Sequence, residues 1–143
     1  MSEQFDPLQL KNQICFPLYA CSKEVVRRYK PYLDELDLTY TQYIAMMVLW
    51  EHKEITVKEI GEYLYLDSGT LTPVLKTLEK KGLLTRKRSE EDERVLKVSI
   101  TKKGMELKEE AKDIPLKLGA CIRLTPEEAR ELYTLLYKVL GNF

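Results

Sequence analysis

Three cysteines, Cys15, Cys21 and Cys121, carry the most reactive side chains of this 143-residue chain. An odd number of cysteines does not close a disulfide framework, and their spacing matches no zinc-binding pattern. His52 is the sole histidine, and the chain has neither a C-x-x-C pair nor a glycine-rich phosphate loop. These features disfavour metal, hydrolase and nucleotide chemistry, so we predict no metal and no cofactor. Thiol chemistry stays open.

Cys15 could react with a peroxide if its thiolate were accessible and stabilised, because a free thiol with a pKa of about 8.5 is only a few per cent ionised at neutral pH. Tyrosine hydroxyls can donate hydrogen bonds to such a sulfur. Tyr19 lies one helical turn from Cys15, whereas Tyr29 is fourteen residues on, roughly 20 Å along one helix. Tyr29 could therefore reach Cys15 only from a second copy of the chain. The alternative is a buried cysteine that acts as a small apolar residue.

A second group of residues could bind DNA. The stretch from Asp67 to Gly82 opens with turn and cap residues and places Leu71, Leu75 and Leu78 on one side. Its other side leaves hydroxyl groups and one lysine free, at Ser68, Thr70, Thr72 and Lys76. A short polar helix face of this kind can lie in a major groove. An ordinary amphipathic surface helix would show the same pattern.

A β-hairpin is predicted directly after this helix. Residues 85–88 form its first strand, and residues 95–100 alternate apolar and polar side chains with the period of two that indicates a strand. In the loop between them, Asp92 could hold Arg94 by a charge-assisted bond and aim its guanidinium into a narrow minor groove. The alternative is a solvated turn whose charges bind nothing specific.

The charge distribution favours a DNA contact in the same region. The net charge of the chain is zero, but Lys and Arg number 7 against 11 Asp and Glu in residues 1–75, 10 against 5 in residues 76–103, and 6 against 7 in residues 104–143. The three segments thus carry −4, +5 and −1. The positive excess falls on the end of the helix and on the hairpin, although a charged run is also typical of a solvated face.

Capping patterns predict the helices that precede this region. Asp6-Pro7 is typical of a helix start, and the long helix that follows should be kinked by Pro31 or end near Tyr29. Thr39 or Thr41 should then cap a core helix. Its apolar residues Ile44, Met47, Val48 and Leu49 are expected to be buried.

The remaining capping patterns complete the set of elements. Thr56 to Glu59 is a capping box for a short helix that ends before Asp67, which makes a helix-turn-helix pair. Thr101 should open a further helix, which Pro115 should bend or break. Thr125 to Glu128 begins a last helix with an apolar stripe of Leu132, Leu135, Leu136, Val139 and Leu140.

The predicted fold is mainly α with a small β-hairpin wing: a winged helix-turn-helix whose N- and C-terminal helices form a dimerisation region. We expect a single domain over residues 1–143, with the DNA-binding lobe at 38–103 and the dimerisation helices at 1–37 and 104–143, because the terminal helices offer more apolar surface than a small winged domain needs. No apolar run approaches the roughly 18 residues of a membrane span, and residues 1–10 lack the features of a signal peptide. We therefore expect a cytoplasmic protein without a membrane partner.

Four segments carry a family resemblance that covers nearly the whole chain. The sequence resembles the MarR family of dimeric winged-helix regulators and, within it, the organic-hydroperoxide-sensing repressors of the OhrR type. The segments are N-Q-I-C-F-P-L-Y-A (12–20), L-T-Y-T-Q-Y (38–43), Y-L-D-S-G-T-L-T-P (65–73) and R-K-R-S-E-E-D-E-R (86–94). The D-x-R element of the wing is widespread in the family, whereas the cysteine segment combined with the tyrosines is more specific to thiol sensors.

The resemblance implies roles for particular residues. Cys15 would be the peroxidatic cysteine, Tyr29 and Tyr40 its hydroxyl partners from the other subunit, and Tyr19 a further pocket residue. In some relatives the oxidised sensing cysteine forms an intersubunit disulfide with a second cysteine of the C-terminal region, and in others it reacts with a small thiol. Cys121 is therefore the predicted resolving cysteine, and the alternative is a buried helix cysteine. On one helix Cys21 is ~9 Å from Cys15, beyond the ~7 Å limit for a disulfide. The resemblance also implies DNA contacts from Ser68, Thr70, Thr72, Pro73 and Lys76, and from Arg94 supported by Asp92. The basic run of the hairpin adds Arg86 and Arg88 as predicted phosphate contacts.

The function expected from this resemblance is a homodimeric, non-enzymatic repressor. It would bind a pseudo-palindromic operator in double-stranded DNA and release it when an organic hydroperoxide oxidises Cys15. Three alternatives remain at this point. They are a MarR-type regulator released by a small aromatic ligand, a thiol peroxidase, and a winged helix that binds protein rather than DNA.

Overall fold

The computed structural model describes residues 4–143, so the first three residues of the predicted N-terminal range lie outside it. The chain divides into two compact units, one running to Lys112 and one from Asp113 to Phe143, which are described separately. A 3-10 turn at Leu10–Asn12 precedes the first α-helix. The elements are α1 (Cys15–Glu35), α2 (Tyr40–His52), β1 (Glu54–Thr56), α3 (Val57–Leu64), α4 (Ser68–Lys80), β2 (Leu84–Arg88), β3 (Leu96–Ile100), α5 (Lys102–Ala111), α6 (Ile114–Ile122) and α7 (Pro126–Leu140). The predicted helical fold with a small wing is confirmed.

The first helix begins later than predicted. The Asp6 side chain does accept a main-chain hydrogen bond two residues on, but the side-chain amides of Asn12 and Gln13 donate to the main-chain carbonyls of Asp6 and Pro7. These carbonyls would otherwise accept the first bonds of a helix, and the segment instead closes into local turns. The prediction of a long helix from Asp6 is therefore wrong, and α1 starts at Cys15.

Once started, α1 continues for 21 residues and passes through Pro31 to Glu35. The proline removes one main-chain donor from the helix without ending it, so the alternative in which the helix stops near Tyr29 is excluded. Because a helix rises 1.5 Å per residue, Tyr29 lies roughly 20 Å along the axis from Cys15.

Helix α2 forms the centre of the core in the first unit. Thr39 and Gln42 make a reciprocal capping box at its start, as predicted for Thr39. Val48 and Leu49 are buried as expected, but Met47 is 45% exposed and Ile44 is partly exposed. Positions 44 and 47 share one side of the helix, and the buried side is the opposite one. It carries Tyr43, Ala45, Met46, Leu49 and Trp50.

Helices α3 and α4 pack beside α2 as the predicted helix-turn-helix pair. Thr56 and Glu59 form the expected capping box of α3. Strand β1 was not predicted; it joins the hairpin to give a sheet of order β1-β3-β2, in which Ile55 lies opposite Val98. The hairpin itself is antiparallel from Leu84↔Ile100 to Arg88↔Leu96.

Two glycines fix the base of the wing. Gly82 ends α4 with φ +78°, which a residue with a side chain rarely adopts. Gly104 in α5 lies so close to the hairpin that a Cβ atom there would be 2.2 Å from the carbonyl oxygen of Leu83. Its own carbonyl accepts a hydrogen bond of 2.9 Å from Trp50 Nε1, which ties α2 to α5.

The second unit contains α6 and α7. Pro115 stands at the start of α6, which confirms the predicted break after α5. Thr125 and Glu128 form the predicted capping box of α7. Apolar side chains of this helix are exposed, among them Leu132, Leu135 and Val139. In residues 4–143, none of the helices has the length and apolar character needed to cross a membrane.

Candidate nucleic-acid interface and thiol site

Helix α4 is built to present a polar side. The side chain of Asp67 caps it by accepting a hydrogen bond of 2.7 Å from Thr70 N, and this bond lowers the pKa of Asp67. Leu71, Leu75 and Leu78 are all buried with at most 1% exposure, so they fix the rotation of the helix about its axis. The opposite side is left to Ser68, Thr70, Thr72, Pro73 and Lys76, all exposed except Thr72, which is partly exposed.

Arg86 is held inside the lobe rather than on this polar side. Its guanidinium bonds Glu79 Oε1 at 3.1 Å and its main-chain N–H bonds Glu79 Oε2 at 2.8 Å, and only 18% of the side chain is exposed. The hydrogen bonds from Arg86 lower the pKa of the Glu79 carboxyl. This ion pair locks the first strand of the wing to α4, so Arg86 acts in our proposal as a support for the wing.

The tip of the wing is ordered by its own side chains. Arg88 Nη1 donates to the carbonyl of Glu93 at 3.0 Å, and the main-chain N–H of Ser89 donates to Val95 at 2.8 Å. Asp92 Oδ1 accepts from both the main-chain N–H and Nε of Arg94, at 3.0 and 3.2 Å. The predicted Asp92–Arg94 pair is therefore present, and 91% of the Arg94 side chain projects into solvent.

A groove of about 1120 Å³ runs between α3, the start of α4 and the wing. Four predicted DNA-binding residues line it: Ser68, Thr72, Arg88 and Arg94. Lys58 and Tyr65 line it too, although the sequence analysis did not single them out. Tyr65 is 59% exposed and ends α3 in the left-handed conformation, with φ 56°. Its position two residues before the Asp67 cap was the available signal.

Cys15 is exposed and is the first residue of α1. A helix that started at Asp6, as predicted, would place Cys15 more than two turns inside it. Because α1 instead begins at Cys15, this residue lies in the first turn of the helix, where main-chain N–H groups have no partner within the helix. Tyr19, 60% exposed, lies one turn away, with Lys23 Nζ 5.2 Å from the centre of its ring.

Tyr29 and Tyr40 lie together in a cluster of rings, the tyrosine cluster, which also contains Tyr43. The centre of the Tyr29 ring lies 5.0 Å from that of Tyr40 and 5.6 Å from that of Tyr43. Tyr43 packs edge-on against Trp50, with the ring centres 6.2 Å apart. Burial, and then the neighbouring phenols, raise the pKa of Tyr29 to about 12, and burial raises the pKa of Tyr40 and Tyr43. The phenols therefore stay protonated, as hydrogen-bond donors, at physiological pH.

Tyr43 is the member of the cluster that sequence reasoning missed. It is 2% exposed and stands three residues after Tyr40, one turn along α2. That spacing was the sequence signal that could have identified Tyr43 as a neighbour of Tyr40. The two remaining cysteines, Cys21 on α1 and Cys121 on α6, are exposed and free of disulfides.

The helix-turn-helix pair with an arginine-tipped wing defines a winged-helix transcriptional regulator. Residues 27–111 match the family model described as transcriptional regulator SarA/Rot. A sequence relative from Bacillus subtilis strain 168, the organic hydroperoxide resistance transcriptional regulator, is 52% identical over 140 residues, which is 98% of this chain and 95% of that protein. The chain belongs to the MarR family, in the branch of the organic hydroperoxide regulators.

Two further relatives agree with this assignment. The HTH-type transcriptional regulator SarZ of Staphylococcus aureus strain USA300 is 42% identical over 123 residues, covering 86% of this chain and 83% of that protein. The solved structure of reduced AbfR bound to DNA has a TM-score of 0.79 at 33% identity and covers 93% of both chains. These relatives are transcriptional regulators rather than enzymes.

Proposed function

We propose that the protein is a homodimeric repressor that binds a pseudo-palindromic operator in its reduced form and releases it when an organic hydroperoxide oxidises Cys15. The observation that carries the proposal is that the two parts of a thiol site, Cys15 and the tyrosine cluster, lie apart within one chain. We call these two parts half-sites. Cys15 is exposed at the start of α1, whereas the tyrosine cluster that could bond its sulfur lies roughly 20 Å along the same helix. In a dimer with antiparallel α1 helices, each half-site faces its complement in the partner.

The chemistry of the sensor is a two-electron oxidation of sulfur. The Cys15 thiolate attacks the terminal oxygen of the hydroperoxide, the O–O bond breaks, and the alkoxide leaves and takes a proton to become an alcohol. Cys15 is left as a sulfenic acid. Condensation with a second thiol then forms a disulfide and water, with Cys121 of the other subunit as the proposed resolving thiol and a small cellular thiol as its competitor.

The DNA side of the proposal uses the polar side of α4 and the wing. Ser68, Thr70, Thr72, Pro73 and Lys76 would enter the major groove, while Asp92 aims Arg94 into the minor groove and Arg88 stiffens the wing. Two copies of α4 in a dimer must meet major grooves about one helical turn apart, roughly 34 Å. Because the operator lies in the cytoplasm, the proposed role implies a cytoplasmic protein.

The deciding experiment is a gel-shift titration with cumene hydroperoxide on the wild type and on Cys15→Ser. We expect the wild type to lose its operator as Cys15 is oxidised, and the serine variant to hold the operator at the same peroxide concentrations. Release by the serine variant would exclude Cys15 as the sensor. Mass spectrometry of the oxidised dimer without reductant then separates a Cys15–Cys121 disulfide from a mixed disulfide with a small thiol.

A second candidate function rests on a groove of about 620 Å³ at the junction of α1 and α2, lined by apolar side chains such as Val26, Leu33 and Leu38 and by Tyr40. A small aromatic ligand in this groove would contact Tyr40 directly and could release DNA without oxidation. Salicylate added to the reduced Cys15→Ser variant tests this function, because dissociation without oxidant would select it over thiol sensing.

A further inference from the structure

Lys81, the residue that follows α4, joins the end of that helix to the turn between α1 and α2. Its ammonium group donates to the main-chain carbonyl of Asp37 and to Gln42 Oε1 at 3.2 Å, and it lies 3.5 Å from Asp37 Oδ2. These three acceptors match the three hydrogens of the ammonium group. With 26% of the side chain exposed, Lys81 is much less solvated than an ordinary surface lysine.

The acceptors of Lys81 belong to α2, which carries Tyr40, and to the turn that joins α2 to α1, the helix of Cys15. Asp37 forms the turn after α1 with φ 54°, and Gln42, 8% exposed, caps α2 by bonding Thr39 N. Tyr40 is the first residue of α2, two positions before Gln42. A displacement of Tyr40 would therefore move an acceptor of Lys81.

The other end of Lys81 is fixed to the DNA-binding lobe. Its main-chain N–H donates to Thr77 in the last turn of α4 at 3.1 Å, and its carbonyl accepts from Lys103 Nζ of α5 at 2.8 Å. The hydroxyl of Thr101 donates a hydrogen bond of 2.6 Å to the main-chain carbonyl of Gly82, the residue after Lys81. The Asp37 side chain is 90% exposed, so the bond to the buried Gln42 is the strongest of these contacts. A charge-assisted bond to a buried acceptor is stronger than an exposed ion pair, so this bond can transmit a movement.

We propose that Lys81 is a positioning residue that couples the sensor to the DNA-reading helix. In the reduced protein it holds the C-terminal end of α4 against the start of α2. A change in the contacts of Tyr40 on oxidation of Cys15 then alters the orientation of α4 through Lys81. This inference rests on the proposed peroxide-sensing function.

The test compares Lys81→Met with Lys80→Met, which removes the same charge from the adjacent exposed position. Three quantities are measured for each variant: the operator affinity of the reduced protein, that of the oxidised protein, and the rate of Cys15 oxidation by cumene hydroperoxide. We expect Lys81→Met to reduce the ratio of reduced to oxidised affinity by roughly two- to thirtyfold without changing the oxidation rate. Lys80→Met should keep the wild-type ratio, and Lys81→Arg should restore part of it.

A role in stability alone would lower the melting temperature and leave the affinity ratio unchanged, and that result overturns the coupling. If Lys81→Met does not fold, Lys81→Gln takes its place, since it keeps a donor but not the charge. If the wild type and Lys80→Met themselves keep the operator after full oxidation of Cys15, the peroxide-sensing function fails and the Lys81 proposal fails with it.

Discussion

Arg94 shows how much a single exposed side chain depends on its neighbour. A long arginine side chain with 91% exposure samples many rotamers in solution, and ordering it on DNA costs conformational entropy. Asp92 reduces this cost in advance by accepting hydrogen bonds from both the main chain and the guanidinium of Arg94. In the proposed complex Arg94 contacts DNA, and Asp92 holds Arg94 in position.

Substitution of Asp92 by alanine should therefore weaken operator binding although Asp92 itself is an anion near DNA. We expect Arg94→Ala to cost on the order of 1–3 kcal/mol of binding free energy and Asp92→Ala to cost less, in the same direction. Fluorescence anisotropy with a labelled operator measures both. Lys87→Ala, which removes an exposed charge from the same hairpin, is the matched control. Tighter binding by Asp92→Ala would mean that its repulsion of phosphates outweighs its support of Arg94.

The Arg86–Glu79 pair joins two elements, the first strand of the wing and α4. Arg86 lies in a basic run, which predicts a DNA contact for it. Glu79 is only seven residues away, but the bond between them depends on how β2 folds back onto α4, which no local pattern encodes. The wing is consequently tied to α4 by a charged pair, in addition to the apolar contacts of its base.

This pair predicts a pH dependence of stability. Hydrogen bonds from Arg86 lower the pKa of Glu79 below its ordinary value of 4.5, so the folded state binds fewer protons there than the unfolded chain. The stabilisation is complete above about pH 4.5 and is lost as the pH falls through the lowered value. In thermal unfolding, the Glu79→Gln protein should therefore be less stable than the wild type at pH 7. This difference in stability should shrink below pH 4.5. Glu106→Gln, an exposed control on α5, should show no such trend, and a difference for Glu79→Gln that is constant with pH would contradict the assignment.

Elements whose signals are local were predictable from the sequence. The caps at Thr39, Thr56, Asp67 and Thr125 all begin helices, because a side chain that bonds an N–H three residues on needs no distant partner. Asp6 carries the same pattern and begins no α-helix: its side chain bonds the N–H two residues on, and the amides of Asn12 and Gln13 bond the carbonyls of Asp6 and Pro7.

Features that depend on distant pairing were not predictable. Strand β1 has three residues and exists because Ile55 pairs with Val98, 43 positions later. Tyr29 and Tyr40 could be named as a pair only through the family resemblance, because their contact requires α1 and α2 to pack side by side. Tyr43 was missed for the same reason, because its place in the tyrosine cluster follows only from its ring contacts with Tyr29 and Tyr40.

At the scale of the whole molecule, the exposed apolar side of α7 bears on assembly. Leu132, Leu135 and Val139 are 46%, 58% and 41% exposed and recur at the spacing of one helix side. Full burial of such a side chain gains about 1.5–3 kcal/mol, and these three, about half exposed, still have roughly half of that gain available. A second copy of the chain is the partner that the proposed operator symmetry requires.

Leu135→Glu should thus weaken the dimer while leaving the winged-helix lobe folded. We expect its dimer dissociation constant to rise tenfold or more, since about 1.4 kcal/mol corresponds to a factor of ten. Sedimentation equilibrium measures this constant, and circular dichroism checks the fold. Thr134→Glu introduces the same charge at the exposed neighbouring position and should remain dimeric. A Leu135→Glu protein with wild-type dimerisation would remove α7 from the interface.

The contact between Tyr43 and Trp50 gives the chain an optical property. Trp50 is the sole tryptophan, and the centre of its ring lies 6.2 Å from the centre of the Tyr43 ring, so tyrosine excitation in the cluster passes to one known indole. Its emission therefore originates from a single place, between the proposed sensor and the Gly104 carbonyl at the base of the wing. Stopped-flow fluorescence of the unlabelled protein can then follow a rearrangement of this region in time, separately from the loss of DNA.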